Sequence, residues 1–135
     1  MNKDEVRGQM RRMRRALSAE AQREAEEAVF ARVSALSAYR RARTVMAYAA
    51  ARGELPLGRV LADALAAGKT LVLPRCAGEG VMHGHRVDAP DRLVKGAYGI
   101  LEPGADCPRV EPAEIDLILV PGTAFDVRGH RIGQG

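Results

Sequence analysis

Three groups of residues in this 135-residue chain have the types and spacings to hold an anionic ligand. The first is Lys3, Arg7, Arg11 and Arg14. At 100° per residue on a helix, these four cations fall within a sector of about 80°. Cations converging from one helix suit a charge-dense group such as a phosphate, although the same stripe also serves as a solvated helix face. The second group is the glycine run Gly129-x-Arg131-x-Gly133-x-Gly135. Alternate glycines let backbone N–H groups approach phosphate oxygens, with an arginine beside them for charge. The spacing is neither a Walker A loop nor a dinucleotide-binding fingerprint, and a flexible terminal segment is the competing reading. The third is Arg52-Gly53-Glu54-Leu55-Pro56, where a carboxylate follows a strand and could accept hydrogen bonds from a ligand's N–H groups. A surface loop glutamate is the plainer alternative.

Other reactive side chains carry weaker signals. His83 and His85 stand at i, i+2 with no Cys or acidic ligand set nearby, so they read as structural or solvent-facing rather than metal-binding. Cys76 follows Arg75 but has no evident base partner, so no nucleophilic role is assigned to it. Cys76 and Cys107, the two cysteines, lie outside any C-x-x-C pattern, which fits a reduced cytoplasm without a zinc site or disulfide framework.

The elements that must position these residues follow from periodicity. Residues 3–15 read as a helix on Val6, Met10, Met13 and Leu17, an apolar stripe adjoining the cationic one and expected to dock on the body. Ser18 is a suitable N-cap for a second helix to about Leu36, with Ala25, Val29, Val33 and Leu36 inward and Glu24, Glu26 and Glu27 outward. Residues 44–49 and 70–74 read as buried strands, the second ended by Pro74, and residues 57–67 between them as a helix stopped by Gly68. Strand, helix and strand with short links form a βαβ unit, which demands parallel pairing. Residues 81–87 alternate as a half-exposed strand, residues 88–112 read as connections around a short stretch near Leu93 and Tyr98-Gly99-Ile100, and residues 116–121 form the clearest apolar strand.

Composition sets the outer limits. The formal charge is +4, and Lys3, Arg7, Arg11, Arg12, Arg14 and Arg15 against Asp4 and Glu5 account for all of it. The body beyond residue 15 is neutral, which excludes a broadly basic nucleic-acid surface. There is no Trp, and only three Tyr and two Phe, so stacking platforms for bases are scarce and the core is aliphatic. The length suits one domain, residues 1–135, and no apolar run approaches the ~20 residues of a membrane span. An arginine-helix nucleic-acid module remains the alternative function from another class.

Taken in order, several stretches resemble the 5-formyltetrahydrofolate cyclo-ligase (5,10-methenyltetrahydrofolate synthetase) family. They are Lys3-Asp-Glu-Val-Arg7, Arg14-Arg15-Ala16-Leu17-Ser18, Gly53-Glu54 and Gly68-Lys69-Thr70-Leu71-Val72-Leu73-Pro74-Arg75. Tyr98-Gly99-Ile100-Leu101-Glu102-Pro103 and the run from Asp116 to Asp126, continuing into Gly129 to Gly135, complete the set. No single stretch is diagnostic; the ordered set spans the chain.

The resemblance implies an α/β fold, a three-layer α/β/α sandwich with a mainly parallel sheet and the N-terminal helices packed on it. It implies a cytoplasmic ligase that uses ATP and Mg²⁺ to convert 5-formyltetrahydrofolate to 5,10-methenyltetrahydrofolate, releasing ADP and phosphate through a phosphorylated formyl intermediate. Its partners would be a reduced folate and a nucleotide, with neither nucleic acid nor membrane. By position, Lys3 and Arg7 match the family's contacts to nucleotide phosphates, and Arg131, Ile132, Gly133, Gln134 and Gly135 match the first half of its ATP loop. Arg7 and Arg131 are thereby the expected catalytic pair. Glu54 matches the anchor of the pterin and Ala49 a substrate-lining position, while Met82 and Tyr98 match folate-pocket residues more loosely. The family's loop continues as Gly-Tyr-Tyr-Asp, whose aspartate is the expected magnesium ligand. Ending at Gly135, this chain reads as a truncation with no metal ligand of its own and impaired activity, or as a non-catalytic nucleotide- and folate-binding domain. Pro56-Leu57 also departs from the family's polar pair after the glutamate.

Overall fold

The computed structural model describes residues 1–51, 53–96 and 99–134. Helix α1 (Lys3–Arg15) starts at Asn2, whose side chain accepts from the Glu5 N–H at 2.8 Å. Helix α2 (Ala19–Ala35) starts at Ser18, which accepts from the Ala21 N–H at 3.0 Å, the cap expected from sequence. A short helix α3 (Ser37–Arg41), not foreseen, leads into β1 (Thr44–Met46). Helix α4 (Gly58–Ala66) then crosses to β2 (Thr70–Gly78), which turns back as β3 (Val81–Val87). β4 (Leu93–Lys95) and β5 (Leu101–Pro103) pair with each other inside the stretch read as connections, and β6 (Arg109–Val110) and β7 (Leu117–Ile118) return to the main sheet. A final ribbon joins β8 (Ala124–Phe125) to β9 (Arg131–Ile132).

The main sheet has the order β6-β3-β2-β1-β7. β1 pairs parallel with both β2 and β7, putting Val45 between Leu71 and Leu117. β3 is antiparallel to β2 and β6 is antiparallel to β3, so four of the five strands point the same way. This is the expected α/β class with a mainly parallel sheet, and β1–α4–β2 is the expected βαβ unit. The core is aliphatic as composition requires. Val45, Leu71 and Leu73 pack with Val60 and Ala64 of α4 and Leu57 before it, while Val29, Phe30 and Val33 of α2 close over them.

Several boundaries moved, each for a physical reason. β2 does not end at Pro74 but runs on to Gly78. Ala47 N–H donates to Val72 O on the β1 side of β2, so Pro74, two residues on, turns its missing N–H toward the same side. β1 has already ended there, and no ladder bond is lost. β1 stops at Met46 rather than Ala49, and β7 covers only Leu117–Ile118 of the stretch expected to be strand. Leu36 is half-exposed instead of inward, because it joins α2 to α3 rather than ending an amphipathic face. Glu26, expected outward, is half-buried and accepts from the Arg59 N–H at 3.1 Å, capping α4, whose own N-cap Leu57 offers no side-chain acceptor.

Helix α1 docks differently from expectation. Val6 and Met10 are half-buried, but Met13 and Leu17 of the same stripe are 57% and 49% exposed, whereas Arg7 and Arg14 are half-buried. The contact face is rotated from the apolar stripe toward the cations. The reason lies in what the helix meets, since guanidinium groups bonded to carbonyls hold it there.

Candidate functional site

Three segments converge: the cationic face of α1, the loop after β1, and the segment from Pro121 through the β8–β9 ribbon to Gln134. Arg7 Nε donates to Gly133 O at 3.0 Å, Arg11 donates to Gln134 O at 2.8 Å, and Arg14 donates to Gly122 O. Arg7 also pairs with Asp4 one turn earlier at 2.8 Å. Charge-assisted bonds of this kind are among the stronger hydrogen bonds, and three from one helix fix α1 against the glycine-bearing segment.

That segment is itself shaped by local chemistry. Asp126 accepts from the Arg128 N–H and the His130 N–H, each at 2.9 Å, and pairs with the His130 ring at 2.8 Å. These bonds, the one to the His130 N–H foremost, hold the Asp126 carboxyl below the usual carboxylate range. Gly129 has φ +88°, so a side chain there would be strained. The turn aligns β8 with β9, and Thr123, buried, donates from Oγ1 to Gly133 O at 3.2 Å. Arg131 leaves β9 and donates to Pro121 O at 2.8 Å, folding over Gly122, where a Cβ would meet Phe125 Cζ at 2.6 Å and Arg131 Cγ at 2.9 Å.

The loop after β1 presents Glu54. Its Oε1 accepts from the Ala51 N–H at 2.7 Å, its backbone N–H donates to Ala51 O at 3.0 Å, and its Oε2 accepts from Gln134 Nε2 at 3.2 Å. Tyr48 pins the same loop by donating to Leu55 O at 3.2 Å. Burial pushes the Tyr48 hydroxyl above its usual pKa and the Glu54 charge adds to this, opposed by Arg14.

Between these segments lies a cleft of about 360 Å³ lined by Arg11, Arg14, Arg15, Gly53 and Gln134. A smaller recess of about 110 Å³ beside it includes Arg14, Leu17, Gln22, Glu54 and Pro56. The structure therefore brings together Arg7, Gly133, Gln134 and Glu54 of the expected site residues. Ile132 is half-buried in β9, Ala49 is half-buried in the loop leading to Glu54, and Lys3 is exposed on the first turn of α1. Met82 is 63% exposed on β3 opposite Cys76 and lines neither cavity. Tyr98 and Gly135, like Arg52, lie outside the described residues. Arg15, exposed, also lines the cleft. The i, i+3, i+4 spacing of Arg11, Arg14 and Arg15 is the sequence signal that shows them on one face. Tyr48 and Thr123 had no such signal, because their partners are backbone carbonyls.

Of the other reactive groups, His85 has a structural partner, while Cys76 is bonded through its backbone and is exposed. The His85 ring meets Cys107 O at 2.8 Å, and the Cys76 N–H donates to Glu102. Among the described residues, no three His, Cys, Asp or Glu side chains gather as a metal site. The donor set present is cationic and amide-rich, which suits phosphate oxygens and does not provide a carboxylate set for Mg²⁺.

The sequence profile of the 5-formyltetrahydrofolate cyclo-ligase family matches residues 1–135. The chain is 28% identical over 142 aligned positions to the 5-formyltetrahydrofolate cyclo-ligase of Haemophilus influenzae, covering 98% of this chain and 73% of that one. It is 37% identical over 71 positions to a probable 5-formyltetrahydrofolate cyclo-ligase of Schizosaccharomyces pombe, covering 50% of this chain and 35% of the relative. The NMR structure of Aquifex aeolicus 5,10-methenyltetrahydrofolate synthetase superposes with a TM-score of 0.88 at 36% identity, over 100% of this chain and 68% of that one. A profile matched from end to end, on a fold shared along the whole chain, means that this chain belongs to the 5-formyltetrahydrofolate cyclo-ligase family.

Proposed function

We propose that the protein takes part in ATP-dependent conversion of 5-formyltetrahydrofolate to 5,10-methenyltetrahydrofolate, with the cleft between α1, Glu54 and the β9 segment as its reaction site. The observation that carries this reading is the meeting of Arg7, Arg11 and Arg14 with Gly133 and Gln134 on one side and Glu54 on the other. In this reading a phosphate-binding half lies beside an acceptor for pterin N–H groups, Gln134 lining the larger cleft and Glu54 the adjoining recess.

In this reading the formyl oxygen attacks the γ-phosphorus, and ADP leaves with the electrons of the broken bond. N10 then attacks the formyl carbon, the C–O bond breaks with phosphate as leaving group, and N10 loses its proton. Phosphorylation turns a poor oxygen leaving group into a good one, so the protein's share is positioning and charge stabilisation. Arg7 and Arg131 neutralise the phosphoryl oxygens, with Lys3 at the rim, while the backbone of Ile132, Gly133, Gln134 and Gly135 supplies N–H donors. Glu54, its carboxylate held by Ala51 and Gln134, accepts from the pterin edge, with Ala49 in the same loop and, by the family resemblance, Tyr98 as further folate contacts; Met82, exposed on β3 away from both cavities, is assigned none. Mg²⁺ would arrive with the nucleotide, and no step here is assigned to protein ligands for it.

The charge excess is confined to the first fifteen residues and the body is neutral, which disfavours an extended nucleic-acid surface. No helix among the described residues is long and apolar enough to cross a membrane. Cys76 and Cys107 are both free thiols, which supports a reducing, cytoplasmic setting. The test is incubation with MgATP and 5-formyltetrahydrofolate, following the light-absorbing methenyl product. Its appearance supports the reading. A folded protein that binds neither nucleotide nor folate and forms no product overturns it.

A further inference from the structure

We infer that Gln134 couples the nucleotide half of the site to the folate half, so that each ligand tightens the binding of the other. The inference rests on the folate cyclo-ligase reading above and adds to it a residue whose side chain spans the two halves. Through its backbone oxygen Gln134 is held by Arg11 of the cationic helix at 2.8 Å. Through its side chain it reaches Glu54 at 3.2 Å, eighty positions away in sequence. Among the described hydrogen bonds, it is the one residue touching both the arginines of α1 and the carboxylate of the loop.

The bond has a fixed direction. An ionised carboxylate only accepts, so the amide NH₂ of Gln134 faces Glu54 and its amide oxygen faces away. Glu54 Oε1 is already occupied by the Ala51 N–H at 2.7 Å, which leaves Oε2 as the oxygen whose direction Gln134 decides. A carboxylate oxygen has lone-pair capacity beyond one donor. Gln134 can therefore orient Oε2 while a pterin N–H uses the remaining lone pair.

The position of Gln134 is in turn set by the phosphate-binding segment. Gly133, one residue before it, receives Arg7 and Thr123, and Arg131 is bonded back to Pro121. Phosphate oxygens on the N–H groups of this segment would order it and, with it, the Gln134 amide. The carboxylate is then aligned before folate arrives. Gln134 lines the larger cleft and Glu54 the smaller recess, so in the empty protein this bond competes with water and its ordering is left for the ligand to complete. Thermodynamic linkage makes the effect reciprocal: folate on Glu54 holds Gln134, which holds the segment for the nucleotide.

The experiment is a titration of the full chain with 5-formyltetrahydrofolate, with and without saturating Mg²⁺ and a non-hydrolysable ATP analogue, by calorimetry. The wild type is expected to bind folate roughly fivefold more tightly with the nucleotide present. Gln134→Ala brings that factor to about one, with each ligand alone affected far less. Gln134→Arg restores a donor within reach of Glu54 and keeps the coupling, whereas Gln134→Glu sets like charges together and drives the factor below one. A Gln134→Ala protein that retains the wild-type factor overturns the inference, as does a wild type that binds both ligands independently; either result leaves the folate reading standing. Failure of the wild type to bind either ligand defeats that reading itself. Thermal melts of each variant show that the fold is intact.

Discussion

At the scale of single residues, the site is built from charged groups whose partners are mostly backbone atoms. Glu54 is the clearest case: Tyr48 pins Leu55 O, and Ala51 donates its N–H to the Glu54 carboxylate and accepts from the Glu54 N–H. Glu54→Gln keeps the shape and removes the charge, and its new NH₂ donor would face the Ala51 N–H or the Gln134 amide. We expect folate affinity to fall at least about tenfold, the order expected when a hydrogen bond to a charged group is lost. Nucleotide affinity measured alone should stay within about twofold of the wild type. An equal loss for both ligands, by calorimetry, would show that Glu54 merely supports the fold. Sequence was informative about Arg7, Gly133 and Glu54, whose types and spacing announce anion and amide chemistry, and the family resemblance added Gln134. It misplaced Met13 and Leu17, expected to dock and found exposed, because helical periodicity sets which residues share a face but not how far the helix rolls when it docks.

At the scale of elements, the β4–β5 pair shows how a stretch read mainly as connection, around short pieces near Leu93 and Ile100, acquires structure. Glu102 of β5 is 9% exposed and sits against β2, where its carboxylate accepts from the Cys76 N–H at 3.1 Å and pairs with Arg75 at 3.3 Å. Arg75 also donates to Pro103 O at 2.9 Å, so one guanidinium fastens the ribbon to the sheet. Gly96 faces this carboxylate so closely that a Cβ there would stand 2.1 Å from Glu102 Cδ. Glu102→Ala strands a partly buried arginine and an unpaired N–H. We expect a loss of about 2 kcal/mol, below the 3–5 typical of a fully buried broken pair because Arg75 keeps some contact with water. Denaturant unfolding of the variant measures it, and a change under about 0.5 kcal/mol would mean the ribbon is not fastened by this pair. The Pro-, Gly- and Asp-rich composition of residues 88–112 hides all of this, since two three-residue strands leave almost no periodicity to read.

At the scale of the whole molecule, the sheet is closed by a carboxylate at the head of its edge strand. Asp116 accepts from the Arg43 and Thr44 N–H groups at 2.9 and 3.0 Å, tying β7 to β1. Those two bonds, Thr44 first, lower its pKa from the ordinary 3.8. A carboxyl lowered on folding contributes stability that is present above the ordinary value and is lost as pH falls through the folded one. The melting temperature should therefore drop as pH goes below about 4, and Asp116→Asn should lower it at neutral pH while shrinking the difference between neutral and acid. An unchanged acid dependence would remove Asp116 from the account. At the alkaline end the sign reverses. Burial, with the bond to Asp63 at 2.7 Å, raises the Tyr39 hydroxyl above its usual value, so its contribution is present below about 10 and lost as pH rises further. By itself the sequence determined what depends on near neighbours: the helices with their caps at Ser18 and Gly68, the βαβ unit, the aliphatic core and the charge confined to α1. Only the tertiary structure decided that α1 is held by its arginines, that Glu26 caps α4, that Glu102 fastens a ribbon and that Gln134 reaches Glu54. The physical reason is the same in each case. Periodicity reports which face of an element is apolar, but a carbonyl or N–H acceptor or donor occurs at almost every position, so nothing in the sequence marks which one a distant side chain will find.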